Sequence, residues 1–240
     1  MKRFSNNSKQ KRSRKMDSTT QLSSVKAGVR KIPLSTSNHS KTPSHPDQIL
    51  TWNQDIQTCT ACPLHKNCSH KVGIRTAYPR PKNTTDLLFV GEAPGQSEYN
   101  LRTPFVGPAG HELSDLIAES VPHNIHYVIT NAVLCTPFTD EYRSSIDTPS
   151  LPGITACRVH LQRLIGILKP KHIIALGKVA ERSLKKFIQQ STSYSPHELR
   201  FTTFIHPSAI LRSSHPDLER SRFIVNLKTI TSAMEEQCLK

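Results

Sequence analysis

Four side chains in this sequence could between them hold a flat, polar molecule and break a bond in it: Glu92, Phe105, Asn131 and His206. Glu92 stands in Gly91-Glu92-Ala93-Pro94-Gly95, directly after the apolar run Leu87-Leu88-Phe89-Val90. That run predicts a buried strand. The glycines and proline behind it predict a sharp turn, which leaves the carboxylate at the strand's C-terminal end. Phe105 lies in a second tight cluster, Pro104-Phe105-Val106-Gly107, and offers a stacking face. Asn131 ends a second apolar run; its amide both donates and accepts hydrogen bonds and so can read the edge of a base. His206 follows a third run and can donate to an oxygen that gains negative charge. Glu92 can orient a water or stabilise a cationic sugar. Ligands of open α/β sheets bind at the carboxyl ends of strands, and three of these four groups end strands. Taken singly, each has a plainer use: turn capping for Glu92 and Asn131, core packing for Phe105, a backbone bond for His206. Their meeting at one sheet edge is what favours a site.

A second constellation is made of thiols. The cysteines are Cys59, Cys62, Cys68, Cys135, Cys157 and Cys238. Cys59-Thr60-Ala61-Cys62 is a CxxC pair on a short turn, a spacing that suits two thiolates on one metal centre. Cys135 is expected just after a strand and Cys157 at the opening of a helix, so four thiolates could converge from three loops. Spacing alone leaves zinc, an iron–sulfur cluster and a redox pair all open. Cys68 is a substitute ligand, and Cys238, in a polar C-terminal end, is expected to be free.

The elements that must position these groups can be read from periodicity. A short helix is expected over 46–58, around Ile49, Trp52 and Ile56, leading into the CxxC turn. Residues 63–86 read as loop, with Pro79, Pro81 and Asn83-Thr84. Strands are expected at Leu87–Val90, His126–Val133, Ile173–Leu176 and Arg200–Ile205. Helices are expected at Ala109–Ser120, Ile154–Leu168, Lys178–Ile188 and Asp217–Gln237, with a polar loop over 136–153. Strands alternating with helices predict a parallel sheet covered on both faces: a three-layer α/β/α sandwich around a mainly parallel four-stranded sheet.

Charge divides the 240-residue chain unevenly. Residues 1–45 hold eleven Lys/Arg against the single acid Asp17, so ten of the formal +14 charges sit there and residues 46–240 carry only +4. This Ser/Asn/Thr-rich segment cannot bury enough surface to fold alone and is expected to be a disordered basic tail, with residues 46–240 as one domain. The tail fits a nucleic-acid-binding arm, a localisation address around Lys9–Lys15, or a solvated extension. No apolar run approaches the roughly 20 residues that span a bilayer. Without a secretory segment the expectation is a cytoplasmic, nucleoid-associated protein that uses its cysteines for metal rather than disulfides, with nuclear or organellar targeting by the tail left open.

At these residues the chain resembles the family-4, iron–sulfur uracil-DNA glycosylases. The resemblance is carried by Cys59-Thr-Ala-Cys62-Pro-Leu64, Val90-Gly-Glu-Ala-Pro-Gly95, Pro104-Phe-Val-Gly-Pro-Ala-Gly110, Thr130-Asn-Ala-Val133 with Cys135, Ala156-Cys157, Ala175-Leu-Gly177, and His206-Pro-Ser208 with Leu211-Arg212. These follow the family's order across roughly residues 55–235, one domain's length. The resemblance implies a monomer that excises uracil from DNA and a 4Fe–4S cluster held by Cys59, Cys62, Cys135 and Cys157. It implies that Phe105 stacks on the everted base, that Asn131 pairs with its edge, that Ala93 and Glu98 lie beside it, and that His206 stabilises the departing anion. Glu92 would position the water or the cationic sugar, while Pro207, Ser208 and Arg212 would grip the DNA backbone.

The chain departs from the family pattern at Tyr99, where an acid is common, at Arg102, where glycine is common, and near Asp140, where an asparagine is common. These changes are expected to border the pocket. The Cys135–Cys157 loop is longer than usual and is similar to that of a subclass that cross-links to abasic DNA through a histidine in this loop. Residues 136–156 contain no histidine, so no covalent mechanism is expected, and with no lysine nucleophile evident the activity is expected to be monofunctional. Two other classes fit the same residues: a non-catalytic iron–sulfur module that recognises uracil or single strands, and a zinc-stabilised α/β hydrolase acting on a nucleotide.

Overall fold

The computed structural model describes residues 44–76, 85–190 and 200–238, with side chains at all of these except 187–190 and 237–238. The basic segment 1–43, the loop residues Pro79, Pro81, Asn83 and Thr84, and the Cys238 thiol lie outside the described residues.

The chain opens with α1 (His45–Gln57). Ser44 caps it, and the Asp47 carboxylate reaches back to the Ser44 backbone, a reciprocal capping box. Two residues assigned to the tail on composition therefore belong to this helix and its cap. The sheet comprises β1 (Arg75–Thr76), β2 (Leu87–Gly91), β3 (Tyr127–Asn131), β4 (His172–Leu176) and β5 (Arg200–Phe204), in the order β1-β3-β2-β4-β5. The four expected strands all form and run parallel. The fifth strand is a correction: β1 is a two-residue antiparallel edge against β3, and a lone Arg-Thr pair gives no apolar pattern by which to find it.

Every residue of β2 is buried, as a parallel strand covered on both faces requires. Leu88 and Val90 face one layer, with α1, α4 (Leu151–Leu168) and α5 (Lys178–Gln190). Leu87 and Phe89 face the other, with α3 (Pro108–Ser120), α6 (Pro207–Leu211) and α7 (Pro216–Cys238). The fold is thus the expected three-layer sandwich. Two short elements escaped sequence reading, α2 (Gln96–Leu101) and α6, because neither is long enough to show a period. Helix α4 begins at Leu151 rather than Ile154, with Ser150 as its cap, so Cys157 lies two turns inside the helix and does not open it. Among the described residues no helix is long and apolar enough to cross a membrane.

Candidate active site

Parallel register brings the predicted residues to one end of the sheet. Gly91 at the end of β2 pairs with Asn131 at the end of β3. A Cβ on Gly91 would stand 2.4 Å from the Phe105 ring and 2.5 Å from Asn131 Oδ1, so ring and amide meet over a residue that must lack a side chain. On the far side, the Phe105 and His206 rings lie 5.8 Å apart, tilted by 33°. Gly177, after β4, takes φ +86°, and a Cβ there would come within 3.2 Å of His206 Cβ. Glycine at both strand ends makes room for the groups that sequence singled out.

Phe105 has φ 57°, a left-handed conformation that costs a non-glycine residue about 1 kcal/mol. Several contacts hold it there. Arg75 Nη1 donates to the Phe105 carbonyl at 2.7 Å while Nη2 donates to Ser114 Oγ at 3.2 Å. Glu98 Oε1 accepts from the amides of Val106 at 2.9 Å and Gly107 at 2.7 Å, and its Oε2 accepts from the Gly95 amide at 3.1 Å. Glu98 therefore ties the turn after β2 to the loop that carries Phe105. Both of its oxygens are engaged by backbone, and Glu98 is not among the residues that line the cleft. The spacing of Gly95 and Glu98, that of a helix cap and its third residue, was the available signal. Arg75 left none.

His206 caps α6, and its Nδ1 accepts the Ser208 amide at 3.2 Å, with the Ser208 hydroxyl at 2.9 Å. With Nδ1 committed as an acceptor, the neutral ring carries its proton on Nε2. Burial, and secondarily the Arg212 charge, lower its pKa to about 4, so the ring is neutral at ordinary pH. Glu92 is half-buried, and desolvation raises its carboxyl above 4.5.

A cleft of about 700 Å³ opens beside these groups. Glu92, Ala93 and Gly95 form one wall, His206, Ser208 and Arg212 another, and Pro137 with Ile146–Thr148 a third. Phe105 and Asn131 are 5% and 2% exposed and do not reach these walls; Pro207 is buried too. The residues that depart from the family pattern do not border this cleft, contrary to expectation. Tyr99 is buried, stacked 4.1 Å from His70 and edge-on to Phe138 at 4.9 Å. Arg102 ends α2, and Asp140 is an exposed loop residue that accepts from Ser144.

The thiols gather elsewhere. Cys59, Cys62, Cys135 and Cys157 line one enclosed, mainly apolar cavity, with Ile56, Leu134 and Ala156. His160 Nε2 lies 3.1 Å from Cys59 Sγ, and the Leu134 amide donates to Cys157 Sγ at 3.4 Å. Burial pushes the Cys157 thiol up to about 12, and a hydrogen bond to Cys68, with burial, raises Cys135. Thiols in such surroundings ionise only beside a cation. Among the described residues no three thiol, imidazole or carboxylate groups are gathered tightly enough to hold one ion. The four cysteines share the walls of this one cavity, a donor set of the kind that holds a thiophilic metal group. Cys68 is not on these walls; it donates to the His70 carbonyl at 2.9 Å.

With this geometry in place, similarity to known proteins is decisive for the family. The pattern of the Uracil DNA glycosylase superfamily matches residues 79–228, more than half of the chain. The chain is 35% identical over 134 residues to the type-4 uracil-DNA glycosylase of Pyrobaculum aerophilum, covering 55% of this chain and 62% of that protein. It is 32% identical over 176 residues to the type-4 enzyme of Thermotoga maritima, covering 70% and 85%, and 34% identical over 133 residues to that of Sulfurisphaera tokodaii, covering 55% and 56%. This chain belongs to the uracil-DNA glycosylase superfamily.

Proposed function

We propose that this protein is a monofunctional uracil-DNA glycosylase, which hydrolyses the N-glycosidic bond of uracil in DNA and leaves an abasic site for base excision repair. The observation that carries this reading is the meeting of Asn131 and Phe105 over Gly91, with the His206 ring 5.8 Å from that of Phe105. An everted uracil would stack on Phe105. The Asn131 amide would accept from the base N3–H and donate to O4, a pattern that cytosine reverses. As the bond from C1′ to N1 breaks, its electron pair passes to the base and spreads onto the carbonyl oxygens O2 and O4. The Nε2–H of neutral His206 would supply the donor that such an anion needs, without carrying a charge that would have to be desolvated. Glu92 in the cleft wall would, as the carboxylate, hold the water whose oxygen bonds to C1′ and accept its proton. Ala93 would line the base pocket, and Ser208 and Arg212, with Pro207 shaping their turn, would hold the flanking phosphates.

The four cavity thiols, Cys59, Cys62, Cys135 and Cys157, would hold a 4Fe–4S cluster as a structural brace between α1, α4 and the loop after β3. No step of the hydrolysis needs it. The protein would act as a monomer, with residues 46–240 forming the glycosylase domain behind a basic tail and acting on nucleoid DNA in the cytoplasm.

The test is incubation of the purified protein with an end-labelled oligonucleotide bearing one uracil opposite G or A, followed by cleavage at abasic sites. Release of uracil by the native protein, and its loss with retained DNA binding in Asn131→Ala, is the expected result. DNA binding without release by the native protein would instead identify a non-catalytic module.

A further inference from the structure

Lys71 is 8% exposed and lines the cavity that the four cysteines share. Burying an ammonium costs several kcal/mol unless an opposite charge accompanies it. Among the described residues no carboxylate lies within ion-pair distance of it. Its Nζ donates to one acceptor, the Gln57 carbonyl, at 3.2 Å. The residue is nevertheless held firmly. The Gln57 side chain donates to the Lys71 carbonyl at 2.8 Å and accepts from the Lys71 amide at 2.9 Å. Gln57 is the last residue of α1, two positions before Cys59, so the same helix end sets both the first thiol and the ammonium. The ammonium's field reaches the sulfurs of Cys68 and Cys135.

We propose that Lys71 is the fixed countercharge of an anionic metal–sulfur cluster in this cavity; the inference rests on the cluster reading above. Four thiolates around an iron–sulfur core leave the group net negative in both common oxidation states, and the reduced state is the more negative. A cation clamped beside it offsets the cost of burying that charge, favours the reduced state and slows loss of the group. The same pairing accounts for the ammonium, which otherwise sits buried without a counterion. Lys71 is a positioning and charge-balancing residue remote from the base cleft, with no part in the hydrolysis.

The experiment compares anaerobically purified, cluster-loaded full chains: native, Lys71→Met, Lys71→Arg, Gln57→Leu, and Lys228→Met as an exposed control of equal charge change. Iron and acid-labile sulfide, reduction midpoint and bleaching rate in air are read for each. Lys71→Met is expected to lower the reduced-to-oxidised ratio at fixed ambient potential about tenfold, roughly 59 mV for one electron, and to bleach several-fold faster. Lys71→Arg and Lys228→Met should stay near native. Gln57→Leu, which loosens the clamp and keeps the charge, should shift in the same direction by less, and it carries the test if Lys71→Met does not accumulate folded. Native midpoint and bleaching in Lys71→Met, or in Gln57→Leu where only that variant folds, would overturn the proposal and leave the cluster standing. A native protein free of iron and sulfide would overturn the cluster reading itself. Uracil release, measured in parallel, is expected to be unchanged by Lys71→Met in the freshly loaded protein.

Discussion

The cleft is lined from the ends of β2, β4 and β5, the thiol cavity from α1, α4 and the segment after β3, and the two solve opposite problems. In the cleft, polar groups are half-covered and kept facing open space: Glu92 and His206 line about 700 Å³ of it. In the cavity, Cys135 and Cys157 are buried and Cys59 and Cys62 half-buried among apolar side chains, with Lys71 on the same wall. The cleft needs groups free to meet a ligand that comes and goes, so its residues are held by their own backbones, as His206 is by the Ser208 amide and Phe105 by Arg75 and Glu98. The cavity needs groups that never leave their partner, so its charges make sense only as a set. Damage to the first should therefore be read in rate, and damage to the second in persistence of the fold.

The largest separation should come from Asn131→Ala. A site made to pair with a base edge loses about 10⁴-fold when that pairing is lost, so kcat/KM should collapse while thermal stability and DNA affinity change little. His206→Ala should cost about 10²–10³-fold in kcat, the scale of one lost donor to a developing anion. Cys157→Ala is expected to invert the pattern: a loss of a few kcal/mol in stability, the scale on which structural metal sites act, read as a lowered Tm and lost visible absorbance, with activity falling only as folded protein is lost. Glu98→Gln should lie between the two regions, with about a tenfold loss in kcat/KM from a loosened Phe105 loop and a small change in Tm. Equal loss of rate and stability in all four variants would abolish the distinction.

A further test of the comparison is in pH. Glu92 is raised above 4.5 and His206 is lowered to about 4, so on acidification Glu92 takes up its proton first and the rate falls with it, before His206 charges. His206 also carries a linkage term. Its unfolded pKa of 6.5 lies above its folded pKa of about 4, so between these values the unfolded chain binds the proton and the folded one does not. Its contribution is full above about pH 6.5 and falls as the pH drops toward 4, by about 3 kcal/mol at most. Denaturation midpoints measured across that window should fall in the native protein and fall less in His206→Ala.

Much of this was legible in the sequence, for identifiable reasons. Continuous apolar runs such as Leu87–Val90 can only be strands covered on both faces, and each ends at a glycine or a polar residue whose place in the register then follows. The CxxC spacing is equally explicit. What stayed hidden was carried by interactions between residues far apart or by elements too short to show a period. Arg75 reaches the Phe105 carbonyl across thirty positions, and Glu98 is recognisable as a loop clamp only once α2 is known to exist. Tyr99 was misplaced for the same reason: proximity in sequence to Glu98 says nothing about the direction of its ring, which turns away from the cleft into His70 and Phe138. Lys71 was invisible because one lysine in a basic chain carries no signal until its burial is known.

The cysteine-walled chamber draws its sulfurs from positions 59, 62, 135 and 157. The last of these stands nearly two thirds of the way along the 240-residue chain, on α4, so the four-thiol wall is complete only once α4 has been made. A chain cut short before Cys157 would keep three of the four wall thiols and lack the α4 side of the cavity, so the chamber separates a finished molecule from an unfinished one.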